Sequence, residues 1–425
     1  MTPRRIKTIL ASALIAIAGF ALLQNLHGGE KKIDHRIERL YDLRDPQFQR
    51  SMGSLLGAPI LTGNAVVDLQ NGDAIFPAML QSIRQAQRSI AFETYIYWSG
   101  EIGEAFAAAL SERARAGVKV HVLLDWMGSV KMEDRFLERM RVAGVEVERY
   151  HKPHWYNLSR MNNRTHRKLL VVDGRVAYTG GVGIADQWEG HAQDPDHWRD
   201  THFRVEGPVV AQFQSVFMDN WIKATGRVLH GEAYFPPLPE AGQTAAQMVS
   251  SSPTGGSESV HLMYLMAIEA AHDSIDLASA YFVPDEMAVN ALVAAARRGV
   301  KLRIITPGGH IDTETVRAAS RARWGRLLEA GVEISEYEPT MYHLKMMIVD
   351  GHFVSVGSTN FDNRSFRLND EANLNVYDDA FARRCEEVFR HDLARARRIG
   401  LEEWRHRPWS ERLWERATSA LGAQL

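Results

Sequence analysis

The sequence predicts an α/β protein made of two similar halves, each a mixed β-sheet flanked by helices. Two observations predict it. A short string, His-x-Lys with four residues before an Asp, occurs at His166, Lys168, Asp173 and again at His343, Lys345, Asp350, about half the chain apart. Helix-like and strand-like segments also recur in the same order around the two strings, the mark of an internal duplication.

In the first copy, residues 78–89 carry apolar side chains at helical spacing, 90–98 read as a strand, 104–117 as a second helix and 118–125 as a second strand. The second copy repeats this with 266–274, 275–283, 288–299 and 300–307. The strands are near-continuous runs of Val, Ile, Leu and Phe, as expected of a sheet covered on both faces. Each repeated string then enters a hairpin. LLVVD leads through Gly174-Arg175 into VAYTGG, and MMIVD leads through Gly351-His352 into FVSVGS. Asp-Gly between apolar runs is a strong hairpin signal. Residues two apart on a strand share a face, so His-x-Lys aims an imidazole and an ammonium at one ligand.

The halves are expected at residues 45–235 and 258–400. A turn-rich linker, 236–257, joins them, carries Pro236, Pro237, Pro239 and Pro253, and holds a short strand near 247–249. Residues 401–425 form an Arg-rich tail with Trp404, Trp409 and Trp414 at helical spacings. Such a tail reads as surface helices packed on the body, or as an interfacial membrane contact. At the other end, Arg4, Arg5 and Lys7 precede an apolar run from Ile9 to Leu23. Residues 1–30 are therefore expected to be a membrane anchor or a signal segment, the retained anchor being favoured.

The 425 residues have a formal net charge of −2, which does not advertise a nucleic-acid partner. Cys385 is the only cysteine, which excludes a disulfide framework and a cysteine-based zinc site.

Two such half-sites suit transfer at phosphorus. That chemistry needs a nucleophile, a proton donor for the leaving oxygen, and positive charge on the remaining oxygens. One imidazole attacks; the other handles the alcohol's proton. Lys168 and Lys345 hold the phosphate, so no metal or cofactor is called for. Ser358, Asn360 and Glu371 are candidate substrate contacts. Asp173 and Asp350 either orient the imidazoles or stabilise their turns, and Glu371 is a rival partner for a histidine.

These two strings are the HKD motifs of the phospholipase D superfamily, which the chain resembles over residues 64–398. Ala280 to Glu286 (AYFVPDE) and Asn360 to Glu371 (NFDNRSFRLNDE) are similar to segments of bacterial cardiolipin synthases. The resemblance implies a pseudo-twofold sandwich with one active site between the halves. It also implies His166 as nucleophile, forming a phosphohistidine, and His343 as acid/base. The expected activity is a membrane-associated phosphatidyltransferase at the bacterial inner membrane. It would make cardiolipin from phosphatidylglycerol and a second phospholipid, with phosphatidylethanolamine an alternative donor. Hydrolysis of phospholipids is the runner-up, and nucleic-acid phosphodiester cleavage or a degenerate binding protein comes behind it. One departure stands out: Gly183 occupies the place where the family often has an Asn matching Asn360.

Other polar clusters have plainer readings. His151 and His154 read as a polar loop before the active strand, and His191, Asp194, Asp196, His197 and Asp200 as a loop over the mouth of the site. Glu93 and Tyr95 read as a hydrogen-bonded core pair or as substrate-side groups.

Overall fold

The computed structural model describes residues 3–26, 33, 35–150, 152, 162–253 and 259–419. The expected loop with His151 and His154 lies outside the described residues.

Among the described residues one sheet of 16 strands runs through both halves. Its order is symmetric about the pairing of Leu61–Gln70 with Thr244–Ser251. Outward on the first side come Thr201–Glu206, Val176–Gly180, Leu169–Val172, Ser89–Thr94, Lys119–Asp125 and Glu146–Tyr150. Outward on the second come Asn369–Tyr377, Phe353–Gly357, Lys345–Val349, Ser274–Ser279, Lys301–Pro307 and Glu333–Tyr337, with Ala396–Ile399 on the far edge. In each half two parallel pairings follow the helical crossovers, and the HKD hairpin adds antiparallel pairs. This is the mixed sheet the sequence predicts. Thr244–Ser251 falls inside the expected linker, yet it occupies in the second half the place that Leu61–Gln70 holds in the first.

The apolar side chains sort into layers. Helices Asn71–Gln85, Glu101–Arg115 and Asp134–Val142 pack on one face of the first half, with Leu170 and Val172 beneath them. Helices Ser259–Ala270, Glu286–Arg297 and Glu314–Glu329 cover the second half over Met347 and Val349. Between the halves, Leu169 and Val171 join Met346 and Ile348 in one buried cluster, with helices Val210–Thr225 and Asp379–Leu393. The strands are thus buried on both faces, which explains their continuous apolar runs.

The C-terminal segment folds into helices Leu401–Arg405 and Trp409–Ser419. They dock on Glu314–Glu329 through Arg321–Glu415 at 3.3 Å and a 2.8 Å bond from Trp404 Nε1 to the Arg321 carbonyl. At the other end the helix Pro3–Leu26 contains the apolar run, and Leu10, Leu14, Ile15, Ile17 and Phe20 are exposed. Among the described residues no helix is long and apolar enough to cross a membrane. The side chains of 21–26 lie outside the description.

Both Asp-Gly turns form, with positive φ at Asp173 (53°), Gly174 (62°), Asp350 (51°) and Gly351 (56°), as a tight hairpin turn requires. The two aspartates are not at the imidazoles. An extended chain covers roughly 23 Å over seven residues, which puts Asp173 and Asp350 at the far ends of their strands. The Asp173 carboxylate accepts the amides of Gln87, Arg88 and Ser89, and Asp350 accepts those of His272, Asp273 and Ser274. Each thus ties its hairpin to the start of the neighbouring strand. The last letter of the motif is structural here, which corrects the orienting role open to Asp173 and Asp350.

Asp173→Ala and Asp350→Ala each remove three charge-assisted bonds and place Ala at positive φ. Each is expected to destabilise the fold by about 2 kcal/mol while leaving kcat within about threefold. Thermal melts beside initial rates check this; a kcat collapse without loss of stability would return the aspartates to the chemistry.

Candidate active site

His166, Lys168, His343 and Asn360 line one cavity of about 340 Å³, with the buried Lys345 ammonium against the His343 ring. The strands deliver them by pairing across the halves. Arg164-Thr165 runs parallel to Asn369-Asp370, and the His166 amide donates to the Asp370 carbonyl at 2.9 Å. In the mirror arrangement Arg199 bridges to Tyr342, and the His343 amide donates to the Arg199 carbonyl at 2.8 Å.

This pairing hands each imidazole to a carboxylate of the opposite half. His166 Nδ1 lies 3.0 Å from Glu371 Oε1, and His343 Nδ1 lies 2.8 Å from Asp200 Oδ2. A buried carboxylate accepts, so each Nδ1 carries the proton and each Nε2 is left bare. Further bonds fix the carboxylates. Ser358 Oγ and Asn369 Nδ2 donate to Glu371, while Trp188 Nε1 and the Thr201 amide donate to Asp200. Ser358 and Glu371 sit behind His166 and do not line the cavity: the expected substrate contact is corrected for both, while the other reading of Glu371, as a histidine's partner, is the one the structure shows. Each lysine donates to the carbonyl of its own histidine, Lys168 at 2.8 Å and Lys345 at 2.6 Å. Lys345 Nζ also lies 3.1 Å from His343 Nε2.

Burial sets the charges. It pushes His166 down to about 4 against the pull of Glu371. His343 is held well below its ordinary value by burial, then by Lys345, Lys168 and His166. Lys168 falls to about 7 through burial and repulsion from Lys345, and burial takes Lys345 to about 8. Burial alone would raise Glu371, but His166 and Lys168 together keep it below the usual carboxylate range. At neutral pH both imidazoles are thus neutral, and the two lysines titrate close enough to neutrality that a nearby anion would hold them in the charged form.

The two sides are not identical. Tyr95 packs on the edge of His166 (ring centroids 5.2 Å apart), whereas Trp188 and Trp198 enclose His343 (5.2 and 5.5 Å). Asn360 lines the cavity, and its Oδ1, an acceptor, is buried without a hydrogen-bond partner. Its counterpart Gly183 has no room for such a side chain: a Cβ there would stand 2.8 Å from Ile96 Cβ and 3.2 Å from Trp188. Tight packing under His343 replaces the amide.

Asp200 is the residue that sequence reasoning left in a loop. The strand register marks it and the spacing does not: Gly180 pairs with His202 and Gly357 with Asn373, so Asp200 and Glu371 occupy the same place, two residues before those partners. The rest of that polar cluster is peripheral, with His191 on Asp73 and His197 on Asp194 at the surface. Among the described residues no group of three or more His, Cys, Asp or Glu is arranged to hold a metal ion. Glu93 is a core group, bonded by Thr165 and Asn220 and raised to about 7 by burial, while Tyr95 lines the cavity.

Comparison with known proteins agrees with this geometry. The family model described as "Cardiolipin synthase, PLD-like domain" matches residues 79–221 and 264–393. Cardiolipin synthase A of Pseudomonas fluorescens (strain SBW25) is 37% identical over 363 residues, covering 84% of this chain and 74% of that protein. Cardiolipin synthase of Geobacillus kaustophilus (strain HTA426) is 36% identical over 370 residues, covering 86% and 74%. Among solved structures, phosphatidylserine synthase of Haemophilus influenzae Rd KW20 superposes with a TM-score of 0.67, covering 89% of this chain and 100% of that one. At 14% identity that likeness shows the fold alone. With a duplicated motif, a shared cavity and these relatives in hand, the chain belongs to the phospholipase D superfamily of enzymes, in its cardiolipin synthase-like branch.

Proposed function

We propose that this enzyme is a phosphatidyltransferase that makes cardiolipin from phosphatidylglycerol and a second phospholipid through a phosphohistidine. The observation that carries the reading is the pair of imidazoles on one cavity, each oriented by a carboxylate of the other half. The cardiolipin synthase relatives supply the substrate class.

In this reading, Nε2 of His166 attacks phosphorus and the bond to the head-group oxygen breaks. His343 gives its Nε2 proton to the departing alcohol. Both lysines surround the phosphate, whose negative charge offsets theirs and raises His343, so that proton uptake accompanies binding. The hydroxyl of phosphatidylglycerol then enters. His343 takes its proton, the new P–O bond forms and the P–N bond breaks. The Asn360 Nδ2 group and the lysines donate to the non-bridging oxygens. The exposed apolar face of Pro3–Leu26 supports residence at the bacterial inner membrane. The first half ends and the second begins, we infer, before Thr244, ahead of the expected boundary at 258.

Wild-type protein given phosphatidylglycerol is expected to yield cardiolipin and glycerol, read by mass spectrometry, and His166→Ala to yield neither. Phosphatidic acid as the sole product would replace transfer with hydrolysis. Glu371→Gln and Asp200→Asn keep the shape but weaken the hold on the Nδ1 proton; each is expected to lower kcat by roughly 10²–10⁴-fold with little change in KM. The pH profile follows from the lysines. Their charged forms lie below about 7 for Lys168 and about 8 for Lys345, so kcat/KM for a phosphodiester of constant charge falls as pH rises through that window. It falls again as His166 gains a proton near pH 4. A flat profile from pH 6 to 10 would contradict this assignment.

A further inference from the structure

The catalytic centre is pseudo-symmetric, but the rim of its cavity is not. On the second half the rim is polar: Tyr281 donates to the Asp312 carboxylate at 2.7 Å, and Thr313 follows. On the first half the rim is Trp98 and the turn 126–131. There Met127 is 39% exposed and Val130 66% exposed, although both line the cavity. This turn is not loose. Asp125 accepts the amides of Met127 and Gly128, Trp98 Nε1 donates to the Gly128 carbonyl, and the Ser99 amide donates to that of Lys131. Gly128 lies so close to the backbone of Tyr95 that a Cβ would stand 2.0 Å from its carbonyl oxygen. A pinned turn that holds apolar side chains outward, beside the mouth of an active site, has a hydrophobic counterpart. A cation completes it, with Lys131 Nζ 4.0 Å from the Trp98 ring centroid. Apolar side chains, an interfacial Trp and a Lys suit the surface of an anionic bilayer.

We propose that Trp98 and the turn 126–131 are the edge of the cavity that seats on the lipid bilayer. Acyl chains leave over Met127 and Val130 and stay in the membrane while the phosphate reaches the histidines. This rests on the phospholipid reading above and adds to it the side of the molecule that meets the membrane. The N-terminal helix would tether the protein without orienting the cavity; the apolar surface that competes to seat on the bilayer is the C-terminal helix, where Trp409, Leu413 and Trp414 are exposed.

The test compares full-length protein on phosphatidylglycerol vesicles and on short-chain phosphatidylglycerol below its micellar concentration. The double substitution Met127→Glu/Val130→Glu is expected to lower the vesicle rate at least tenfold more than the soluble-substrate rate, because short-chain lipid passes the same turn without a bilayer to seat on. Leu413→Glu/Trp414→Glu is expected to change neither by more than twofold. Equal loss on both substrates, no loss on either, or a vesicle-specific loss in the C-terminal variant instead would each overturn the proposal. Wild-type protein inactive on both lipids would instead sink the phospholipid reading itself.

Discussion

Each half of this protein holds the other half's histidine. Glu371 fixes His166 and Asp200 fixes His343, and the backbone bonds at His166 and His343 set the register that brings them together. All four side chains are buried. A buried carboxylate is tolerated only when its partner is in place, so neither half is a complete site alone. The duplication therefore does more than supply two copies of a motif. It places each copy so that its proton-bearing nitrogen is governed from across the interface.

A second consequence concerns charge. Lys168 and Lys345 sit within one buried centre and repel each other, which is tolerable because Glu371 and Asp200 stand close by. In the proposed reaction an anionic phosphate relieves that repulsion. Much of the electrostatic stabilisation is thus prepared before the substrate arrives. The differences between the halves then matter more than their likeness. Asn360 against Gly183, and Tyr95 against the Trp188–Trp198 pair, break the symmetry and allow two chemically similar imidazoles to take different roles.

The duplication, the alternation of strands and helices, the Asp-Gly hairpins and the His-x-Lys pairs were legible because each depends on residues close in sequence. The carboxylates were harder. Asp173 and Asp350 belong to the repeated string, but a strand carries them away from the histidines, and their work is to accept amides at a turn. Asp200 lies outside the string, and only the pairing of Gly180 with His202 reveals it as the counterpart of Glu371. Ser358 looked like a ligand contact because it follows a glycine near the site; the fold buries it against Glu371. The short strand expected near 247–249 is longer, Thr244–Ser251, and its place in the sheet was hidden because the two strands on either side set it. In each case the deciding partner is more than ten residues distant in sequence.

The central claim is that both imidazoles act on a single phosphorus. It is tested most directly by reacting His343→Ala with a phosphatidyl ester of p-nitrophenol, a leaving group that needs no proton. The account predicts a burst of one p-nitrophenol per enzyme and an alkali-stable phosphoryl adduct mapped to His166. A burst that persists in His166→Ala, or labelling of His343 in the wild-type protein independently of His166, would contradict it.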